Sequence, residues 1–371
     1  MDIGGLINGL IGDGTIARLA INPRAQFGTP TRRYIGAEIL PERLVDVNQF
    51  IEDKISWRTV VANDGSRYSA VQKKGSTLTG SFPVNLADQD IGSELTGRDY
   101  DQLVKLMQGV VVQNTTGSVE SMAAIVQMTN WVDATLNLPL VEKIEKARWE
   151  ALVHARVTLT GDNNYEEVVN YPSIPELRLT ATDAWTLDAT DPFVQIFALA
   201  QAMSDHGITP NRFIMGRSAF SKLANNATVR ARVGRAVLTA AGQLRGTTGR
   251  ATLQEVNGQL QQDALPTIEL YDLQYRTQEG SGFFLDRDAA VLIGTTGRNE
   301  TIDLGDGQFE TIEDTLGYAG VGRAAGQGTP GRVIKVYPKD NKPPRVDGEA
   351  WQTSLPIITE PEAVASIVGI R

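Results

Sequence analysis

The chain of 371 residues contains no cysteine and only two histidines, His154 and His206. Without cysteine there is no disulfide framework, no thiolate metal site and no cysteine nucleophile. One chain with two histidines cannot supply a three-histidine metal centre or a paired histidine relay of its own. No run of about 18 apolar residues occurs, so no transmembrane helix and no membrane association are expected. The opening Met1-Asp2-Ile3-Gly4-Gly5 has an acid where a signal peptide carries bases, and the cytoplasm is the simplest compartment. Neither a G-x-x-x-x-G-K-[ST] phosphate loop nor a G-x-S-x-G nucleophile elbow is present.

Three weaker motifs also fail on their chemistry. Gly320-Val321-Gly322-Arg323-Ala324-Ala325 has the dinucleotide-binding spacing, but Gly326, Gly328 and Pro330 forbid the helix that would aim N–H groups at a pyrophosphate. A flexible loop is expected there instead. Asp303, Asp306 and Glu310 lack calcium-loop spacing and read as a solvated acidic loop. His154 flanks an apolar helical stripe and reads as a packed or rim residue, and His206 precedes Gly207 at a helix C-terminus, where it suits the dipole. These readings predict no enzyme, no cofactor and no metal.

What remains is ordinary globular material, 41% hydrophobic and 21% charged. The 36 glycines favour turns and irregular β structure over a helical bundle. A net charge of −9 argues against a dedicated nucleic-acid binder, though not against a protein that encloses nucleic acid.

Along the chain, residues 1–55 read as an extended arm. Ile3, Leu6, Ile7, Leu10 and Ile11 have helical spacing, while Gly4, Gly5, Gly9 and Gly12 weaken any helix; the strip is either frayed or ordered only by a neighbour. Residues 56–100 read as a hairpin with little core, turning at Asn63-Asp64-Gly65-Ser66 and again at Lys73-Lys74-Gly75. Residues 118–156 carry the longest helical pattern, a spine with Val119, Met122, Ala123 and Val126 as one apolar stripe, continued by Leu140, Ile144, Ala147, Ala151, Leu152 and Ala155, and Glu142–Lys146 as a solvent-side pair. Pro139 predicts a kink or break near Asn137–Leu138. Short strands follow at 157–160, 168–169 and 177–179. Asp191-Pro192 opens a helix whose buried face is Phe193, Ile196, Phe197, Ala200 and Met203, closed by Gly207. Ser218 is expected to cap the next helix. Strands at 212–215, 268–271, 283–285, 290–293, 333–337 and 355–358 complete an α+β chain.

The order of these pieces, with several stretches, resembles the phage lambda major capsid protein E family. The stretches are Glu145-Lys146-Ala147-Arg148-Trp149-Glu150 running to Leu159-Thr160-Gly161, Val168-Val169-Asn170-Tyr171, Ala184-Trp185 before Asp191-Pro192, and Gly207-Ile208-Thr209-Pro210-Asn211 with Ile214-Met215-Gly216. Leu223-Ala224-Asn225-Asn226 and the closing Trp351, Leu355-Pro356-Ile357 and Pro361-Glu362-Ala363-Val364 continue the likeness, which covers about residues 30–371. The chain departs from the family at Lys73-Lys74-Gly75-Ser76, where a Pro-Arg-Gly type of turn is common.

The resemblance implies the Hong Kong 97-type capsid fold. Its parts here are an N-terminal arm (1–55), an extended hairpin loop (56–100), a peripheral domain (101–184) with spine helix 118–156, an axial domain (185–330) and a return to the peripheral domain (331–371). It implies a structural subunit of an icosahedral tailed-phage head around double-stranded DNA, assembled in the host cytoplasm. Its partners would be copies of itself in hexamers and pentamers, with scaffolding, decoration and portal proteins as further ones. An encapsulin-like nanocompartment is the alternative in the same fold, and an enzyme or sugar-binding β-domain the alternative outside it.

Charge segregation suggests where copies meet. From His206 to Gln254 there is no acid, while Arg212, Arg217, Lys222, Arg230, Arg232, Arg235, Arg245 and Arg250 are basic. From Asn299 to Gly322 there is no base, while Glu300, Asp303, Asp306, Glu310, Glu313 and Asp314 are acidic. Two solvated loops is the plain reading; docking between neighbours, or arginines facing DNA, are the functional ones. The candidate inter-subunit contacts are therefore Ile3, Leu6, Ile7, Leu10, Asp64, Lys73, Lys74, Arg230, Arg232, Arg235, Glu310, Glu313 and Asp314.

Overall fold

The computed structural model describes residues 3–20, 22–56, 77–108, 119–160, 166–187, 189–233, 237–238, 244–245, 249–277, 280–305, 308–339 and 342–371. The chain opens with helices α1 (Ile3–Gly12) and α2 (Thr15–Ala20) and a 3-10 turn, Pro23–Phe27. Strands β1 (Gly28–Thr29) and β2 (Arg32–Arg33), helix α3 (Ile35–Ile39) and strand β3 (Glu42–Leu44) follow. Next come β4 (Gln49–Ser56), β5 (Thr77–Asn85), β6 (Ala87–Leu95) and helix α4 (Arg98–Gln108). The spine is α5 (Val119–Val132), a π-helical turn (Asp133–Asn137) and α6 (Leu138–His154).

Beyond it, β7 (Arg156–Thr160) pairs with β8 (Glu166–Asn170), and β9 (Arg178–Thr180) leads into α7 (Pro192–Asp205). Then come β10 (Pro210–Met215), α8 (Arg217–Asn225), α9 (Ala227–Arg232), β11 (Val237–Leu238), β12 (Leu244–Arg245) and α10 (Leu253–Gln262). Strand β13 (Ile268–Leu270) precedes two hairpins, β14 (Gln274–Thr277) with β15 (Gly280–Phe283), and, after β16 (Ala290–Gly294), β17 (Glu300–Gly305) with β18 (Gln308–Ile312). The chain ends with β19 (Gly317–Val321), β20 (Val333–Lys339), β21 (Arg345–Ile358) and β22 (Val364–Val368).

Proline explains the irregular turn in the spine. Pro139 is the second residue of α6, and its ring has no N–H to return to the preceding turn. The ladder loosens over Asp133–Asn137, where side chains supply local bonds: Thr135 Oγ1 donates to the Trp131 carbonyl at 2.7 Å and Asn137 Nδ2 to Asp133 Oδ1 at 2.8 Å. The expected break is present, spread over one turn before the proline.

Two five-stranded sheets organise the molecule. In one, the order is β20-β21-β19-β3, with β6 also paired to the long β21; α6 crosses it, burying Leu140, Val141, Ile144, Ala151 and Leu152. In the other, the order is β13-β10-β16-β22-β9, and α7 packs on it through Phe193, Ile196, Leu199 and Met203. Several strands pair across the expected domain limits, among them β4 of the expected arm with β5 and β6 of the expected hairpin with β21. β19, expected with 185–330, pairs with β21 and β3, and β22, expected with the return 331–371, lies between β16 and β9. The final strand thus stitches the second sheet to the first, because both are incomplete without segments from distant parts of the chain.

Local chemistry sets the ends of α7 as expected: Asp191 accepts from the Phe193 N–H at 3.0 Å, Pro192 follows, and Gly207 turns at φ 79°. Helix α8 differs. Its cap is Gly216 rather than Ser218, since a Cβ at 216 would lie 2.4 Å from the Arg287 carbonyl oxygen. Gly320 and Val321, placed by expectation in a flexible loop, form a fully buried strand; past it the chain bends into a bridge between Arg323 and Pro330.

Candidate assembly surfaces

The spine carries more than an apolar stripe. Glu145 and Arg148, one turn apart on α6, are both completely buried. The Glu145 carboxylate accepts at Oε1 from the Gly36 N–H (2.8 Å), Trp149 Nε1 (2.8 Å) and the Tyr271 hydroxyl (3.2 Å), and at Oε2 from Arg148 Nη1 (3.3 Å). Gly36 is required there, because a Cβ would sit 2.7 Å from Oε2. Burial pushes Glu145 upward from the ordinary carboxylate range, with Arg148 and the three donors holding it back, and burial likewise lowers Arg148.

The network runs on. Gln26 Oε1 accepts from the Glu42 N–H at 2.7 Å and from Arg148 Nη2 at 3.5 Å. Arg332 donates to the Glu42 carboxylate and, through Nε, to Gln352 Oε1 at 2.7 Å; Gln352 Nε2 then donates to Gln89 Oε1 at 2.7 Å and to the Leu140 carbonyl at 3.1 Å. The arm (Gln26, Gly36, Glu42), the hairpin base (Gln89), the spine and the last long strand are fixed to one another by these bonds. The Glu-Lys-Ala-Arg-Trp run on the spine was the sequence signal for it; nothing in the sequence marked Gln26 or Gln352.

The predicted solvent pair differs too. Glu142 is held by Arg32 Nη2 (2.5 Å) and Tyr34 (3.0 Å), and Lys146 meets Glu150 (3.4 Å). Arg32 reaches Glu142 from the arm, so a tertiary partner displaces the neighbour on the helix.

The arm is a correction. Leu6, Ile7 and Leu10 are buried at 3%, 0% and 2% exposure against Leu103, Met128, Val132, Leu136, Val336 and Val346 of the same chain. Ile3 begins the same helix. The glycine-rich helix forms because its apolar face covers α5 and the β20–β21 ribbon, so this face does not wait for a neighbour. Asp64, Lys73 and Lys74, with both expected hairpin turns, lie outside the described residues. The hairpin's base is described: β4 and β5 pair from Gln49–Asn85 to Ser56–Thr77, and Ile51 is 68% exposed on it.

The charge blocks come apart into used and unused members. Arg212 pairs with Glu38 (3.3 Å) and Glu269 (3.0 Å), Arg217 with Asp272 (3.3 Å) and Lys222 with Asp288 (2.7 Å). Arg232 pairs with Asp191 at 2.8 Å and stands over the Phe193 ring, so it is engaged within its own unit. Arg230 is half-buried on α9, and Arg235 lies outside the described residues. Among the acids, Asp314 is consumed by a turn: it accepts from the Gly297 N–H (3.0 Å) and from Asn211 Nδ2 (3.2 Å). Glu310 and Glu313 are exposed and face Arg24, Arg33 and Arg212 across a cleft of about 770 Å³ without pairing. Among the described residues, no helix is long and apolar enough to cross a membrane.

Comparison with known proteins places this arrangement. The family model described as phage major capsid protein E matches residues 99–368. A prophage protein of Escherichia coli CFT073, described in its structure as a candidate capsid protein, superposes with a TM-score of 0.55 at 12% identity, over 98% of both chains. A phage-related protein of Bordetella bronchiseptica RB50 gives a TM-score of 0.51 at 13% identity, over 95% of this chain and 96% of that one. No curated protein matches significantly.

Proposed function

The chain belongs to the phage major capsid protein E family, and from that premise we propose how it serves as the structural shell subunit of a tailed-phage head. The fold is of the Hong Kong 97 type, and the family is a structural one. The observation that carries the reading is the match over 99–368, which spans the spine, the second sheet and strands β19–β21 of the first.

In our reading the subunits group as hexamers and pentamers in an icosahedral shell around double-stranded DNA, assembled in the host cytoplasm. Scaffolding, portal and decoration proteins are the further partners this reading calls for. The arm, with α1 and α2 folded on its own spine, acts as part of the rigid body. The hairpin built on β4 and β5 is the segment left to reach a neighbour, since β6 beyond it is paired with β21, and the exposed Ile51 at its base supports this. Many modest contacts, repeated by symmetry, close the shell without any one tight interface.

The test is the content of particles purified from cells producing the virus. Double-stranded DNA inside closed shells built mainly of this chain is the expected result. Shells filled with a cargo protein would instead identify a nanocompartment.

A further inference from the structure

We propose that the slot between the free edges of β3 and β17 receives an extended, uncharged segment of a different protein, as an added strand.

Two unpaired strand edges face one another there. β3 ends the order β20-β21-β19-β3, and β17 pairs only with β18 among the described residues. A slot of about 430 Å³ separates them, lined by four consecutive residues on each side, Pro41 to Leu44 and Glu300 to Asp303. Successive side chains of a strand point to opposite faces, so a wall made of consecutive residues is the backbone edge itself. The Val45 N–H donates to the Val321 carbonyl at 3.0 Å, which turns the N–H groups of Glu42 and Leu44 away from β19, to the slot side. Gln26 Oε1 accepts the first at 2.7 Å; the second has no partner among the described residues.

A further donor lies at the base of the slot. Gln26 is fully buried and lines it. Its Oε1 is held by the Glu42 N–H and by Arg148 Nη2 at 3.5 Å, which orients the amide and leaves Nε2 buried without an acceptor. Both unmet groups are N–H donors, so the occupant brings carbonyl oxygens, which an extended backbone presents along its edge.

The lining sets the occupant's charge. Glu42 is paired with Arg332, Glu300 with Arg298 (2.8 Å) and Arg43 (3.9 Å), and Asp303 is engaged too. A charged occupant would be buried without a counter-charge, whereas Leu44, Ile302 and Val321 offer a seat to an apolar side chain. This selects against a second copy of the chain. The strand residues with large apolar side chains exposed among the described residues are Leu44, Ile51, Val168, Phe309 and Tyr337, and each has a charged residue within two positions.

The probe is a fluorescent, capped, neutral pentapeptide of alternating serine and leucine, titrated into the full chain. It should bind saturably, while an N-methylated analogue, which cannot lie along a strand edge, and an analogue with aspartate for leucine should not. Leu44→Asp, an exposed change, should weaken binding at least about tenfold and leave the melting profile unaltered. In particles from producing cells, Leu44→p-benzoylphenylalanine should cross-link to an uncharged extended segment of another protein, located by sequencing the joined peptide. Equal binding of the three peptides, undiminished binding to Leu44→Asp, or cross-links only to copies of this chain would overturn the proposal. A chain that forms no particles would count against the shell reading, and peptide binding would still decide the slot.

Discussion

The two sheets of this molecule are stabilised by different physics. Around α7 the second sheet is closed by contiguous apolar packing: Trp185, Phe193, Ile196, Leu199, Met203, Phe213, Leu223 and Leu292 are all fully buried. Its polar interior is small. Asn226 spans the turn before α7, donating to the carbonyls of Trp185, Leu187 and Thr190 at 2.9–3.0 Å while its own Oδ1 caps α9. Around α6 the first sheet buries Glu145, Arg148, Gln26, Gln352, Gln89, Thr353 and Ser354 together. An apolar core accepts many similar sequences, whereas a hydrogen-bonded polar network accepts few, so the first sheet holds the arm and hairpin base in one arrangement.

Removing one member of the network should have the largest effect. Arg148→Met leaves the Glu145 carboxylate buried without its cation and should cost about 3–5 kcal/mol, read by urea unfolding. Adding Glu145→Gln should recover part of that loss, and a double variant no better than the single would show that the pair is not coupled. In the second sheet Phe193→Ala should cost about 3–5 kcal/mol through its cavity, and no neighbouring polar change should rescue it. Asn226→Ala strands three carbonyls and a helix N-terminus, for an intermediate loss of about 1–3 kcal/mol.

The smallest effect is electrostatic and has opposite signs in the two regions. Burial opposes ionisation of Asp288, but hydrogen bonds from Lys222 and Ser218 and the Lys222 charge outweigh it and hold the carboxyl below its ordinary value. Its contribution is present above the unfolded value of about 3.9 and is lost as pH falls through the lower folded value. Because the pair is partly exposed, that contribution is below about 1 kcal/mol. Glu145 is shifted upward, so the stability tied to its proton is present at low pH and is lost as pH rises through the folded value. Melting temperature against pH for Asp288→Asn and Glu145→Gln should therefore depart from wild type in opposite directions as pH rises through the acid range, the loss of stabilisation at Asp288 lowering the first curve and the relief of Glu145 ionisation raising the second.

The same contrast explains what was legible in the sequence. Helix α7, its Asp191 cap and strand β10 were readable because cap, periodicity and closing glycine lie within one short segment. The spine and its proline break were readable for the same reason. The network was not: Gln26 binds Arg148, and Gln89 binds Gln352, across 122 and 263 positions of sequence. Each of these residues looks like ordinary surface polarity until the fold brings them together. The apolar strip Leu6-Ile7-Leu10 was visible, but its partner was not, because a single sequence does not distinguish burial against the same chain from burial against a copy. The intrachain partners of Arg232 and Asp314 were hidden in the same way, Asp191 for the first and Gly297 and Asn211 for the second.

Sedimentation velocity with electron microscopy of the expressed full-length chain tests the shell reading most directly. Fast-sedimenting closed shells of uniform diameter, built from this chain alone or with the proposed scaffolding partner, are the predicted result. A chain that remains a folded monomer with that partner present, at concentrations and salts where related subunits assemble, would contradict it.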